Sequence, residues 1–313
     1  MEIRLGYACI SLTLDGITTS STYPYSRYLE EKDNQKLDKI VEKNLISLEK
    51  IIDYNIANNI KFYRISSALI PLATIKDIEF DYINKYLNIY KRIGKKIAKN
   101  NLRLDFHLDQ FCVLNSVKQE VVNNTIESLK YHYKILDALN IKEKILLIHV
   151  GSNTFGKEKS LSRFIKNFNK LPNYLKDVIA IENDDKIFNI DDCLYLSDKL
   201  NIPVVLDYHH HLCNHSSLDV FNYIDKIFAT WRTIRPKIHF SSPKNNTKKE
   251  IRSHNDYINP ETFISFIEKV KVYNYDFDIM IEAKKKDEAL FKLVRNLKYK
   301  TSYKFINDTT FIP

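Results

Sequence analysis

Eight short runs of β-branched and apolar residues alternate with longer amphipathic stretches along this 313-residue chain, and that alternation limits the folds open to it. The runs are IRLGYACI (3–10), KFYRISS (61–67), LRLDFHL (102–108), ILLIHV (145–150), VIAIEN (178–183), IPVVLDY (202–208), KIHFS (237–241) and FDIMIEA (277–283). Helical periodicity fills 36–59, 83–100, 121–140, 218–234 and 261–273. In the first of these, Leu37, Ile40, Val41, Leu45, Leu48, Ile51 and Ile52 recur at three- and four-residue steps and make one apolar face. Eight strands alternating with helices over about 280 residues predict a single (β/α)8 TIM barrel spanning 1–313. A doubly wound sheet is the alternative; its dinucleotide-binding form is weakened because no GxGxxG follows the first strand and the chain has five glycines.

Composition adds limits. Hydrophobic residues at 44% and charged residues at 28% suit a globular domain. No apolar run reaches the roughly 18–20 residues of a membrane span, and MEIRLGYACI lacks the layout of a signal peptide. A cytoplasmic protein is expected, nucleoid-associated in a bacterium and nuclear or mitochondrial in a eukaryote. Cys9, Cys112, Cys193 and Cys213 have no CxxC spacing and read as reduced thiols. A net charge of +9 leans toward a polyanionic partner.

A barrel enzyme carries its chemistry at the C-terminal ends of its strands, so the residues there can be checked for partners. Strand three ends with His107, strand four with His149, strand five with Glu182, and strand six with Asp207 and the histidines of LDYHHHLCNH. Strand seven carries Lys237 and His239, strand eight ends with Glu282, and His254 follows on the loop after strand seven. Six consecutive strands thus bring imidazoles or carboxylates to one rim. A lone histidine or glutamate at a strand end is usually a satisfied or solvated residue; six together point to a metal site at the C-terminal ends of the strands. Nitrogen and oxygen donors without thiolate suit Mn²⁺, Zn²⁺ or Fe²⁺. So many ligands exceed one coordination sphere, so two or three ions are expected, with Glu182 or Glu282 bridging two and acting directly in catalysis. A regular strand six would place Asp207, His209 and His211 on one face; a turn just after Tyr208 would bring His210 round instead.

Read together, the stretches IRLGYACISLTL, HLDQF, LLIHVGS, AIENDD, LDYHHH, KIHFSS, SHNDYI and MIEAKKK run in order from residue 2 to about 286 and resemble the UV damage endonuclease family, a metal-dependent barrel related to endonuclease IV. The resemblance implies that His107, His149, Glu182, Asp207, His210, His239, His254 and Glu282 bind metal, and it favours His210 over His209. Mn²⁺ is the first choice, with Zn²⁺, Co²⁺ or Fe²⁺ as alternatives. Lys237 matches a lysine that the family places beside the metals and can carry as a carboxylated, catalytic side chain. Tyr7 and the pair Gln110–Phe111 match residues that probe the lesion; the other reading of Phe111 is a core residue closing the barrel top. The implied activity is incision of duplex DNA immediately 5′ to ultraviolet photoproducts, leaving a 3′-hydroxyl. PKNNTKKEIR (243–252), with Lys244, Lys248, Lys249 and Arg252, is either a backbone-binding loop beside the rim or a solvated one.

The expected partner is damaged double-stranded DNA, with no membrane, no nucleotide cofactor and a monomeric chain. Three rivals remain. An abasic-site endonuclease of the endonuclease IV type is close, and HLDQF and RLGY weigh against it. A metal-dependent sugar isomerase or epimerase can share the barrel and rim but needs fewer ions and no positive charge. A non-catalytic damage binder need not keep a complete ligand set.

Overall fold

The computed structural model describes residues 1–313 except 246, 248 and 249, so Lys248 and Lys249 lie outside the described residues. Each expected strand forms: β1 (Ile3–Ala8), β2 (Phe62–Ile65), β3 (Arg103–His107), β4 (Leu146–His149), β5 (Ile179–Glu182), β6 (Val204–Asp207), β7 (Lys237–Phe240) and β8 (Phe277–Ile281). Each runs parallel to the next in chain order, β8 returns to β1, and β1 pairs with β2, which closes the ring. This is a (β/α)8 barrel, and closure excludes the doubly wound sheet. Two further strands escaped the sequence pattern, β9 (Lys304–Phe305) and β10 (Thr310–Ile312), too short to show a period. β10 lies antiparallel on Ile3 and Arg4 of β1, below the stretch where Gly6–Ala8 pairs with β2. Gly6 allows that approach, because a Cβ there would meet the Phe62 carbonyl oxygen at 2.3 Å.

The helices pack around the ring in the same way. Asn34–Ala57 starts under the side chain of Asp33, which accepts from Lys36 N, and buries Leu37, Val41, Leu45, Leu48, Ile51 and Ile52. Only Ile40 of the expected stripe is half-buried. The stretch 218–234, expected as one helix, is a 3₁₀ turn at Val220–Tyr223 followed by a short helix at Ile224–Ala229. It ends there because Thr230 Oγ1 turns back onto the Ile227 carbonyl at 2.6 Å and Trp231 Nε1 donates to the Val204 carbonyl at 2.8 Å. No helix among the described residues is long and apolar enough to cross a membrane.

Inside the ring, alternate strand residues point inward. The middle is partly apolar, with Leu147, Ala180, Val205, Phe62 and Met280 buried, but charges sit above and below it. At the floor Asp278 is fully buried, and both of its oxygens accept from Arg4 (Nε to Oδ1 2.6 Å, Nη2 to Oδ2 2.7 Å). Arg103 Nη1 adds a bond of 2.8 Å, and Arg235 Nε lies 3.1 Å away. The Arg103 guanidinium also lies between the rings of Phe62 and Trp231, at 5.4 and 5.3 Å.

Burial pushes the Asp278 carboxyl up, but the Arg4 bonds and the Arg103 charge outweigh it and hold the group below its ordinary value. A depressed carboxylate stabilises the fold fully above its unfolded value, about pH 4, and loses that contribution as pH falls through the lower folded value. Asp278→Asn should therefore cost about 3–5 kcal/mol at neutral pH, the cost of removing one partner from a buried ion cluster. In denaturant titrations across pH, the gap between wild type and variant should close below about pH 4; a constant gap would contradict the assignment.

Candidate metal centre

His149 pairs with Glu182 across β4 and β5, and Asp207 with His239 across β6 and β7; Glu182 pairs with Val205 and His239 with Met280, so the polar side chains step up the staggered strands in two-residue increments, all on the inner face. Glu182 is the meeting point. Its Oε1 lies 2.7 Å from His107 Nε2 and 3.1 Å from His149 Nε2, and its Oε2 lies 2.7 Å from His239 Nδ1. His239 Nδ1 is in turn 3.4 Å from Glu282 Oε1 and 4.0 Å from Asp207 Oδ2. His210 Nδ1 lies 3.6 Å from Asp207 Oδ2, and His254 Nδ1 3.9 Å from Glu282 Oε2. All eight expected ligands are thus brought together at the mouth of the barrel.

Two sets converge closely enough for one ion each: His107, His149 and Glu182, and Glu182, Asp207 and His239, with ligand atoms within 4.8 Å of one another. Glu182 belongs to both. The donor chemistry fits divalent ions. The His107 Nδ1 donates to the Leu108 carbonyl at 2.8 Å, so its Nε2 turns a lone pair toward a carboxylate oxygen, a contact only a proton or a cation can bridge. Asp207 Oδ2 is buried without a hydrogen-bond partner among the described residues, as a ligand atom would be.

Of His209 and His210, the structure brings His210 to the carboxylates of the rim. Asp207 caps a short helix, Tyr208–Cys213, accepting from His210 N at 2.8 Å, so the chain turns one residue earlier than expected. The turn swings His210 toward Asp207, and its Nδ1 donates to the Asn183 carbonyl at 3.0 Å, leaving Nε2 for a ligand. His209 instead packs edge-on against His254, with ring centroids 5.6 Å apart. Asn183 fixes this geometry by exchanging two bonds with the Asp207 backbone, at 2.9 and 3.0 Å.

Charge at the rim is unbalanced by protein groups alone. Burial raises Asp207, helped by Glu282 and Glu182 against His210, to about 7. Burial opposes protonation of His210, but Asp207, Glu182 and Glu282 raise it to about 9. Burial takes His239 down to about 4. Glu182 is held well below its ordinary value, burial being outweighed by His107, His239 and His149.

Other expected residues need correction. Tyr7 is fully buried between β1 and the helix Asn34–Ala57, where its hydroxyl donates to Asn55 Oδ1 at 2.9 Å, so it is not exposed to a duplex. Lys237 starts β7 two residues before His239, and its buried Nζ pairs with Asp105 across the barrel. Phe111 is 74% exposed, which removes the core reading, and with Gln110 it lines a cleft of about 710 Å³ that reaches His149, Gly151 and Asp184. Lys244 pairs with Glu250 and Arg252 lies 3.4 Å from Asp185, so both charges are partly answered within the rim.

Sequence reading missed Arg64 and Asp105. Arg64 Nη1 donates to Glu282 Oε1 at 2.6 Å and its Nη2 to His239 Nε2 at 2.7 Å. The signal was present in KFYRISS: a charge in an apolar strand, once buried, requires a partner.

The chain is similar to known proteins over nearly its whole length. The chain matches the family described as UV-endonuclease UvdE over residues 3–310. The UV DNA damage endonuclease of Bacillus cereus strain B4264 is 39% identical over 303 residues, 95% of either chain. The crystal structure of SacUVDE superposes with a TM-score of 0.87 at 36% identity, covering 95% of this chain and 98% of that one. Endonuclease IV from Thermus thermophilus shares the fold, with a TM-score of 0.59 at 11% identity over 95% of this chain and 100% of that one.

An ion entering the rim must displace the protons that Asp207 and His210 hold, up to about 7 and about 9 respectively. Apparent Mn²⁺ affinity should therefore rise with pH up to about 9, more steeply below about 7, with proton release on binding. Calorimetry in buffers of different ionisation enthalpy counts those protons, and a pH-independent affinity would contradict the site.

Proposed function

The chain belongs to the UV damage endonuclease family, and on that premise we propose that it nicks duplex DNA immediately 5′ to ultraviolet photoproducts and leaves a 3′-hydroxyl. The observation that carries this reading is Glu182, whose two oxygens face separate imidazole sets next to a cleft edged by an exposed amide and ring. His107, His149, Glu182, Asp207, His210, His239, His254 and Glu282 would hold two or three divalent ions, Mn²⁺ foremost. Such ions supply the Lewis acidity that makes water a nucleophile and stabilises the leaving oxygen of a phosphodiester.

The chain's own residues do the rest. The Asn183 and Leu108 carbonyls fix the tautomers of His210 and His107, so their Nε2 atoms stay aimed inward. Phe111 is held outward by its own turn, its N–H donating to Asp109 Oδ1 at 3.0 Å. A ring so placed can stack where a photoproduct has weakened the duplex, and Gln110 can take up the hydrogen-bonding edges that unpairing leaves open. Lys244 and Arg252, on the loop after β7, would contact the phosphates of the duplex, which a monomer would bind.

Lys237 enters through its nitrogen. Burial, with Arg64 and Arg103 adding to it against Asp105, brings the amine down to about 8. A neutral amine adds CO₂ at its lone pair and sheds one proton to give a carbamate, an anion suited to metals. Lys237→Arg, which cannot form one, should lose nicking activity, and electron density at the side-chain end of the wild type should show the added group. An unmodified Lys237 in a metal-loaded crystal would refute the carbamate.

The activity itself is tested by incubating the protein with irradiated, abasic and undamaged duplexes, with and without Mn²⁺, and mapping the nick. Incision 5′ to the photoproduct is expected only with metal and lesion; preferential cutting at abasic sites would overturn the photoproduct reading. Replacing Gln110 and Phe111 together with alanine should weaken binding of irradiated DNA by roughly 1–3 kcal/mol for the lost stack while metal content and melting temperature hold. Unchanged preference for damaged DNA would remove the pair from recognition.

A further inference from the structure

A second aromatic stands in solvent on the same face, on the loop after β4. Phe155 is 73% exposed and adopts φ of 66°. It is the third residue of a turn closed by Gly156 N donating to the Asn153 carbonyl at 3.1 Å. A positive φ at that position suits glycine or asparagine, and a bulky ring there is strained. Strain and exposure both work against stability, so the fold alone does not explain the ring.

The loop is nonetheless firmly held. Asn115, fully buried on the loop after β3, donates to the Ser152 carbonyl at 2.8 Å and accepts from Ser152 N at 3.0 Å. Arg163 binds the Asn115 carbonyl at 2.9 Å and the Thr154 carbonyl at 2.6 Å, next to Phe155 itself. The loop displaying Phe155 is thereby locked to the loop displaying Phe111. Residues of both loops, Phe111, Val113, Gly151 and Ser152, line the cleft that opens beside His149.

We propose that Phe155 is a second nucleic-acid contact, stacking on a base or deoxyribose of the duplex that Phe111 probes. The inference rests on the DNA-nicking reading above and adds to it a second ring, on a loop whose backbone is locked to the loop of the first. A loop already ordered loses little freedom on binding. Strain that the surrounding structure maintains is the signature of a side chain kept for its contact rather than its packing.

Phe155→Gly separates the roles, since it removes the ring and relieves the turn. The expected result is a melting temperature raised by about 2 °C, unchanged bound metal and sedimentation, and affinity for irradiated duplex weakened roughly fivefold to a hundredfold in an anisotropy titration. Phe155→Tyr, which keeps the ring, should retain wild-type affinity. Unchanged affinity in the glycine variant, a lower melting temperature, or an altered oligomeric state would each overturn the proposal, the last by giving the ring to a second copy of the chain. If wild type itself neither binds nor nicks irradiated DNA, the nicking reading falls and this falls with it; if wild type binds and Phe155→Gly binds equally, only this one falls.

Discussion

Anions buried inside a closed barrel set the terms for this structure. A carboxylate removed from water costs several kcal/mol unless a cation meets it, and this chain buries carboxylates at every level of the ring. Each level answers differently. At the floor Arg4, Arg103 and Arg235 surround Asp278; one layer higher Lys237 meets Asp105; at the rim Arg64 meets one oxygen of Glu282. Among the described residues, Glu182 and Asp207 have only imidazoles within ion-pair distance.

Backbone carbonyls and Asn183 orient the imidazoles, so their aim comes from hydrogen bonds made by the fold and survives without help from a substrate. The loops after β3 and β4 carry the exposed rings of Phe111 and Phe155, and Asn115 and Arg163 pin these two loops together.

How much of this could be read beforehand follows from what periodicity records. The eight barrel strands were legible because each is a run of apolar residues between helical stretches, while β9 and β10 were too short. The convergence of imidazoles and carboxylates at the rim was legible because parallel strands put their C-terminal ends on one face. What depends on a single turn was not: His210 reaches the rim because Asp207 caps a helix, a choice that two-residue alternation cannot express. Tyr7 was misplaced because family likeness carries position and not exposure. Arg64 and Lys237 needed their partners across the barrel, Glu282 and Asp105, and contacts between residues so far apart in the chain leave no mark in spacing.

The central claim is that Glu182 is shared between metal ions, and anomalous diffraction from crystals soaked in Mn²⁺ tests it most directly. Two or more peaks are predicted, one against His107 and His149 on the side of Glu182 Oε1 and one toward Asp207 and His239 on the side of Oε2. A single peak, or peaks that leave either oxygen of Glu182 without an ion, would contradict the account.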